Sequence, residues 1–297
     1  MRKNLWNGWN ISEKIGEGRF GEVYKALKVV DGVTLSCAIK YVSLPKNQEE
    51  LNDLVKKGII KNVEDANKYY LKIVDDLKKE IAIMQKFNGS PYVVDCFDYI
   101  QENKFDGTGI DFYIRMELAE DIDKYFERKN ITTNDVINLG IDICSALELC
   151  ESLNIIHRDI KPSNIYVGVD GKYKLGDFGI ASLSNTIDDK GYGTYNYISP
   201  EVYNKKDVGF NTDLYSLGIV MYKLLNNNKL PFSSKFSNDK DILNTRMSGV
   251  SLLPIKGVDK ALMDIIIKAC NYETTGRYKN ATEMKNALKD LMVIKMK

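Results

Sequence analysis

The chain is poor in the features that would commit it to a membrane, a polyanion or an oxidising compartment. No apolar run approaches the ~20 residues that span a bilayer. The start, Met1-Arg2-Lys3-Asn4-Leu5-Trp6, lacks the long apolar core of a signal peptide, so none is expected. Forty-two basic residues against 41 acidic ones leave a net charge of +1, which gives no electrostatic case for nucleic acid or an anionic lipid surface as the main partner. The five cysteines (Cys37, Cys96, Cys144, Cys150, Cys270) are odd in number and form no CxxC pair. A disulfide framework and a cysteine-rich zinc site are therefore not expected, and a reducing cytoplasm fits. Cys144 and Cys150 fall in an apolar helical pattern and read as core. There is one histidine, His157, no internal repeat and no low-complexity linker.

What is present is a length of 297 residues, enough for one large domain or two lobes with separate cores. The first ~45 residues alternate in short β-branched and aromatic runs, broken by Gly16, Gly18, Gly21 and by an Asp31-Gly32 hairpin signal. Lys40 closes the run Cys37-Ala38-Ile39. From Val63, apolar residues recur at helical spacing through Ala66, Tyr70, Ile73, Val74, Leu77, Ile81 and Met84, with Asn62 as N-cap and Asn88-Gly89 as the stop. Strands are expected over Tyr92–Ile100 and Asp111–Leu118. Beyond Leu118 the pattern is mostly helical: Val136–Cys150, Leu214–Leu225 and Leu262–Cys270. The expectation is an N-terminal part over 1–117 and a C-terminal part over 118–297, joined by a short hinge.

Three strings carry chemistry. Gly16-Glu17-Gly18-Arg19-Phe20-Gly21-Glu22-Val23 lies between two strands, where glycines let backbone N–H groups approach phosphates. A dinucleotide-binding turn would require a helix next, but Val23 to Leu27 reads as strand. Lys40 ends a buried strand and needs a charge partner: a phosphate and a carboxylate, for which Glu80 on the following helix is in register with Leu77 and Met84. Then come His157-Arg158-Asp159-Ile160-Lys161-Pro162-Ser163-Asn164 and Asp177-Phe178-Gly179. Asp159 is placed to accept a hydroxyl proton, Lys161 to steady a transferring phosphate, and Asn164 and Asp177 to offer hard oxygen ligands to Mg²⁺. His157 reads as a loop-holding residue.

These motifs resemble the eukaryotic-type (Hanks-type) serine/threonine protein kinases, and in some features their bacterial members, from about Trp9 to Leu291. The resemblance implies an α+β bilobal fold: a small antiparallel sheet with one main helix, and a larger helical lobe. It implies ATP and Mg²⁺, with Mn²⁺ as an alternative, and a protein substrate that includes the chain itself in trans. By position, Met116 is the gatekeeper, Glu117 to Ala119 the hinge, Val23 and Ala38 the cover of the adenine, and Asp123 a ribose contact. Tyr166 stands where a leucine usually floors the adenine, and its hydroxyl needs a partner. Ser199-Pro200-Glu201 resembles the end of an activation segment, Asp213 the aspartate that ties a helix to the catalytic loop, and Arg277 the partner of Glu201. Ser184 and Thr186 are candidate phosphorylation sites, with Asp188 a candidate phosphate mimic for Arg158. Lys40 and Glu80 lie about twice as far apart as is usual, which implies a helical insertion at about 44–73, either solvated or a docking or dimerisation surface. A pseudokinase scaffold and a small-molecule kinase remain the alternatives.

Overall fold

A computed structural model describes residues 5–18, 21–104, 109–178, 195–236 and 238–295. The chain divides into two compact units, Met1–Ser90 with Val94–Ala119, and Pro91–Val93 with Glu120–Lys297.

The N-terminal unit is built on the turn that the sequence announces. Asp31 (φ 49°) and Gly32 (φ 79°) are both left-handed, as a two-residue I′ hairpin requires, and Val30 pairs with Val33 across it. Strands β1 (Asn10–Gly18), β2 (Gly21–Val30), β3 (Val33–Leu44), β4 (Cys96–Asn103) and β5 (Ile110–Met116) form an antiparallel sheet in the order β1-β2-β3-β5-β4. Alternation gives the sheet two faces. Ala26, Cys37, Ile39 and Tyr113 point to one, where Trp6, Trp9, Ile11 and Tyr41 cover them. Gly21 is required sterically: a Cβ there would land on the Tyr41 carbonyl oxygen.

Helix α1 (Gln48–Lys56) follows β3, and α2 (Val63–Gln85) follows α1. Asn47 and Asn62 cap them by accepting from the Glu50 and Asp65 N–H groups at 2.9 and 2.8 Å. The residues beyond Leu44 thus form a separate helix and an early start of α2. Leu54, Ile60, Ala66 and Tyr70 are buried, so the stretch is packed rather than loose. Three expectations shift. β3 runs four residues past Lys40. α2 ends at Gln85 instead of Asn88, because Asn88 turns its amide to the backbone of Cys96 (2.9 and 2.8 Å). β4 starts at Cys96 instead of Tyr92, because the backbone of Tyr92 accepts from Leu175 N–H at 2.8 Å and Val93 bridges Leu175, drawing Pro91–Val93 into the other unit.

The C-terminal unit is mainly helical: α3 (Ile122–Glu127), α4 (Thr133–Ser152), α5 (Pro200–Tyr203), α6 (Asn211–Leu225), α7 (Asp239–Met247), α8 (Lys260–Ala269) and α9 (Ala281–Lys295). Strands β6 (Glu120–Asp121), β7 (Ile165–Val167) and β8 (Tyr173–Leu175) form a small sheet in that order. α4 opens on a reciprocal capping box between Thr132 and Asp135 and is the buried centre of the unit. Its Gly140 lets α9 and α6 approach, since a Cβ would sit 2.7 Å from Leu288 Cδ1 and 2.9 Å from Met221 Cε. All five cysteines are buried and free, with Cys144 and Cys150 in the α4 core. Among the described residues no helix is long and apolar enough to cross a membrane.

Candidate active site

Residues 157–164 are held from below by α6. The buried Asp213 carboxylate accepts the N–H of His157 at 2.7 Å and of Arg158 at 2.8 Å. This pair of bonds fixes Arg158 at φ 64°, an uncommon conformation for a residue with a Cβ. Burial pushes the Asp213 carboxyl up to about 6, against the pull of the two N–H donors.

His157 is also fully committed. Its Nδ1 accepts the Asp159 N–H at 3.3 Å, so Nε2 carries the proton and donates to the Gly176 carbonyl at 3.2 Å. Its ring lies 4.8 Å from that of Phe178. Burial lowers its pKa to about 4, which keeps it neutral. With both nitrogens engaged, the imidazole holds the loop and has no lone pair for a substrate.

Asp159 is different. Its Oδ2 takes hydrogen bonds from Lys161 Nζ at 2.7 Å and Asn164 Nδ2 at 2.9 Å, whereas Oδ1 has no partner among the described residues. One oxygen is thus pinned and the other is open among the described residues. The Asn164 amide also donates to the Asp159 carbonyl at 2.8 Å, which is consistent only with nitrogen at that position. Asn164 sits in a single 3₁₀ turn, Pro162–Asn164, that follows the extended Lys161.

Asp177 lies two residues past the end of β8. Ile165 pairs with Leu175, and Gly176 N–H donates to the Asn164 carbonyl at 3.0 Å, so the β7–β8 ladder fixes the chain just beyond Asn164 and just before Asp177. Asp177 is left-handed (φ 49°), and its Oδ2 accepts the Tyr166 hydroxyl at 3.3 Å. The donor set fits Mg²⁺, an amide oxygen and a carboxylate. Among the described residues no group of three His, Cys, Asp or Glu could hold a metal.

In the N-terminal unit, the register gathers four of the expected residues. Lys40 opposes Val23 and Ala38 opposes Met116, and Ala38 and Lys40 are two apart, so all four lie on one sheet face, opposite that of Ile39. The Ala119 N–H has no intramolecular hydrogen bond among the described residues, whereas Glu117 N–H is tied to the Asp95 carbonyl at 2.8 Å. Glu80 lies on the buried stripe of α2 and is only 9% exposed. Gly16 has room for a Cβ, 3.8 Å from Val23 Cβ, so sterics do not dictate it as they do Gly21. The side chain position at Gly18 lies outside the described residues, as do Arg19, Phe20, Gly179, Ser184, Thr186 and Asp188. In the C-terminal unit, Asp123 lies at the start of α3, where Lys223 pairs with it at 3.7 Å.

Glu201 and Arg277 form a buried bidentate pair with both bonds at 2.8 Å, and Thr212 adds a hydroxyl at 2.7 Å. Burial acts to raise the Glu201 carboxyl, but Arg277 and Thr212 outweigh it and hold it below the usual range. Arg246, which sequence reasoning missed, is buried on α7 and donates to the carbonyls of Tyr195, Asn196 and Ile198, just ahead of Ser199-Pro200-Glu201. Its acceptors are backbone oxygens, which leave no mark in a sequence.

Residues 9–292 match the model of the protein kinase domain. The chain is similar to a Clostridium perfringens protein named as a probable serine/threonine-protein kinase, with 31% identity over 293 residues that make up 95% of this chain and 38% of the relative. It is similar to the Aurora kinase of Dictyostelium discoideum, 29% identical over 237 residues, 78% of this chain and 54% of that protein. A Lactococcus lactis protein named as a probable serine/threonine-protein kinase is 31% identical over 180 residues, 58% of this chain and 28% of its own. The chain spans well under two thirds of each relative. With a sheet-built N-terminal unit, a helical C-terminal unit and a matching domain model across nearly its whole length, this chain belongs to the protein kinase family.

Proposed function

We propose that the chain is an active serine/threonine protein kinase that transfers the γ-phosphoryl group of Mg-ATP to a protein hydroxyl. The observation that carries this reading is the asymmetry of Asp159: Oδ2 is pinned by Lys161 and Asn164, and Oδ1 is open to an incoming hydroxyl. Asp159 orients the hydroxyl and takes its proton, and Lys161, beside it, balances charge on the moving phosphoryl group. Asn164 Oδ1 and the Asp177 carboxylate would hold the divalent cation, which neutralises phosphate charge when bound. Lys40, with Glu80 as its carboxylate partner, holds the non-transferred phosphates. Val23, Ala38 and Met116, together with the Ala119 N–H, which is unbonded among the described residues, bind the base. Lys161 favours serine or threonine over tyrosine as acceptor. The substrate is a protein, including this chain in trans, and the site of action is the cytoplasm.

The test is incubation with Mg-ATP and a generic protein substrate, followed by detection of phosphoserine and phosphothreonine. Wild-type protein should label the substrate and Asp177→Asn should not. Nucleotide binding without transfer would overturn the reading in favour of a binding scaffold. Transfer only to small molecules would overturn the protein-substrate assignment.

A further inference from the structure

Tyr166 has been given one task so far, flooring the nucleotide base, and its hydroxyl is used elsewhere. The phenol lies 3.3 Å from Asp177 Oδ2. An ionised carboxylate only accepts, so the phenol donates. We propose that Tyr166 is a positioning residue for the metal-binding carboxylate, joining the base floor and the metal site into one hydrogen-bonded unit; this rests on the kinase reading above.

The surroundings fix both ends of this bond. Tyr166 is the middle residue of β7, paired with Asp121 on β6 and Lys174 on β8. Asp177 lies two residues past the end of β8, with Gly176 between, whose N–H and carbonyl are bound to Asn164 and His157. The backbone of Asp177 is left-handed, so the rest of the structure sets its Cα–Cβ direction. The Tyr166 hydroxyl then restricts the remaining rotation of the carboxylate. Two carboxylate oxygens offer about four lone-pair sites, so this bond is compatible with metal ligation. Leucine, which the kinase resemblance leads one to expect at this position, has no donor and cannot make this bond.

The consequence is coupling. Nucleotide packed against the ring holds the hydroxyl in place on Asp177, and a cation that fixes Asp177 holds the ring in place, so each strengthens the other's binding, and by linkage the factor is the same both ways. Outer partners of ligating groups typically contribute 10- to 100-fold to metal affinity.

The experiment measures ADP affinity by calorimetry with and without Mn²⁺, and Mn²⁺ occupancy of the ADP complex by electron paramagnetic resonance. The readout is the ratio of the two ADP affinities, which a general loss of structure would not move selectively. Tyr166→Phe keeps the ring and removes the hydroxyl. Its ratio should fall about tenfold relative to wild type, with a matching loss of Mn²⁺ affinity. Tyr166→Leu should show the same loss of coupling and serves if the phenylalanine variant is poorly folded. A ratio within twofold of wild type in either folded variant overturns the inference. If wild type shows no Mn²⁺-dependent ADP binding at all, the kinase reading fails and this inference with it.

Discussion

The glycine-rich hairpin and the catalytic loop are the two backbone segments assigned to phosphate chemistry, and they are held in opposite ways. Across the β1–β2 hairpin, Lys14 bridges Glu17 at 2.8 Å and the half-exposed Glu22 at 2.6 Å, and Lys46 reaches Glu17 at 3.1 Å, with Lys14, Glu17 and Lys46 exposed. Among the described residues the catalytic loop shows no such surface ties. It hangs from Asp213, 2% exposed, and the nearby Glu201–Arg277 pair is 5% and 0% exposed. Exposed pairs contribute little because water and salt screen them, whereas a buried charge that loses its partner is stranded without solvation. A hairpin held this way can adjust over a ligand at small cost. A loop held by buried charges from distant parts of the chain is either formed or lost.

The sharpest way to break this contrast is Arg277→Ala. It strands the buried Glu201 carboxylate without its charge partner, and the loss of folding stability should be about 3–5 kcal/mol. Urea denaturation measures it. Replacing both members together, Arg277→Met with Glu201→Leu, removes the stranded charge and should recover most of that loss. If the single and double variants lose equally, packing rather than charge holds this region.

Two buried groups beneath the loop respond to pH with opposite signs. His157 titrates at about 4 in the folded protein and at about 6.5 when unfolded. As pH falls through that window the unfolded chain gains a proton that the folded one refuses, and stability drops by about 3 kcal/mol. Asp213 titrates at about 6 when folded and about 3.9 when unfolded. Here the folded chain holds the extra proton, so stability rises by about 3 kcal/mol as pH falls from about 6 to about 4. In wild type the two contributions largely offset. His157→Gln should therefore gain stability on acidification relative to its own value at pH 7, and Asp213→Asn should lose it. Denaturation midpoints at pH 7, 5.5 and 4.5 that run parallel in all three proteins would refute the assignment.

The same contrast explains what could be read from the amino-acid sequence. The arrangement of Asp159, Lys161 and Asn164 is local: they fall within six residues, and one tight turn brings them together, so spacing alone suggested the grouping. Asp31-Gly32 likewise announced its hairpin, and Asn62 its helix. The support of Asp213 and the pairing of Glu201 with Arg277 span long sequence separations, and only family resemblance pointed to them. Where contacts run through backbone atoms, neither route sufficed. Arg246 bonds three carbonyls, and the Tyr92 carbonyl draws Pro91–Val93 out of the expected strand. Helices α7 and α9 were missed as well. The apolar positions of α7 are few, with Ile242 and Leu243 buried beside an arginine. The partner of Tyr166 depends on a β7–β8 register that three-residue strands are too short to declare.

The smallest expected effect tests the other side of the comparison. Lys14→Ala removes two salt bridges at once, yet one lies within β1 and the other reaches the half-exposed Glu22 on β2, and the backbone ladder between the two strands remains intact. The ammonium is held charged by hydrogen bonds to Glu17 and then Glu22, but water supplies nearly the same stabilisation once those bonds are gone. Thermal unfolding of this variant should coincide with wild type within experimental error, at low salt and at 1 M NaCl alike. A clear drop at low salt that disappears at 1 M would mean that the hairpin is electrostatically fixed. The glycine-rich segment would then be clamped by its surface charges, and the division between an adjustable hairpin and a rigid loop would no longer hold.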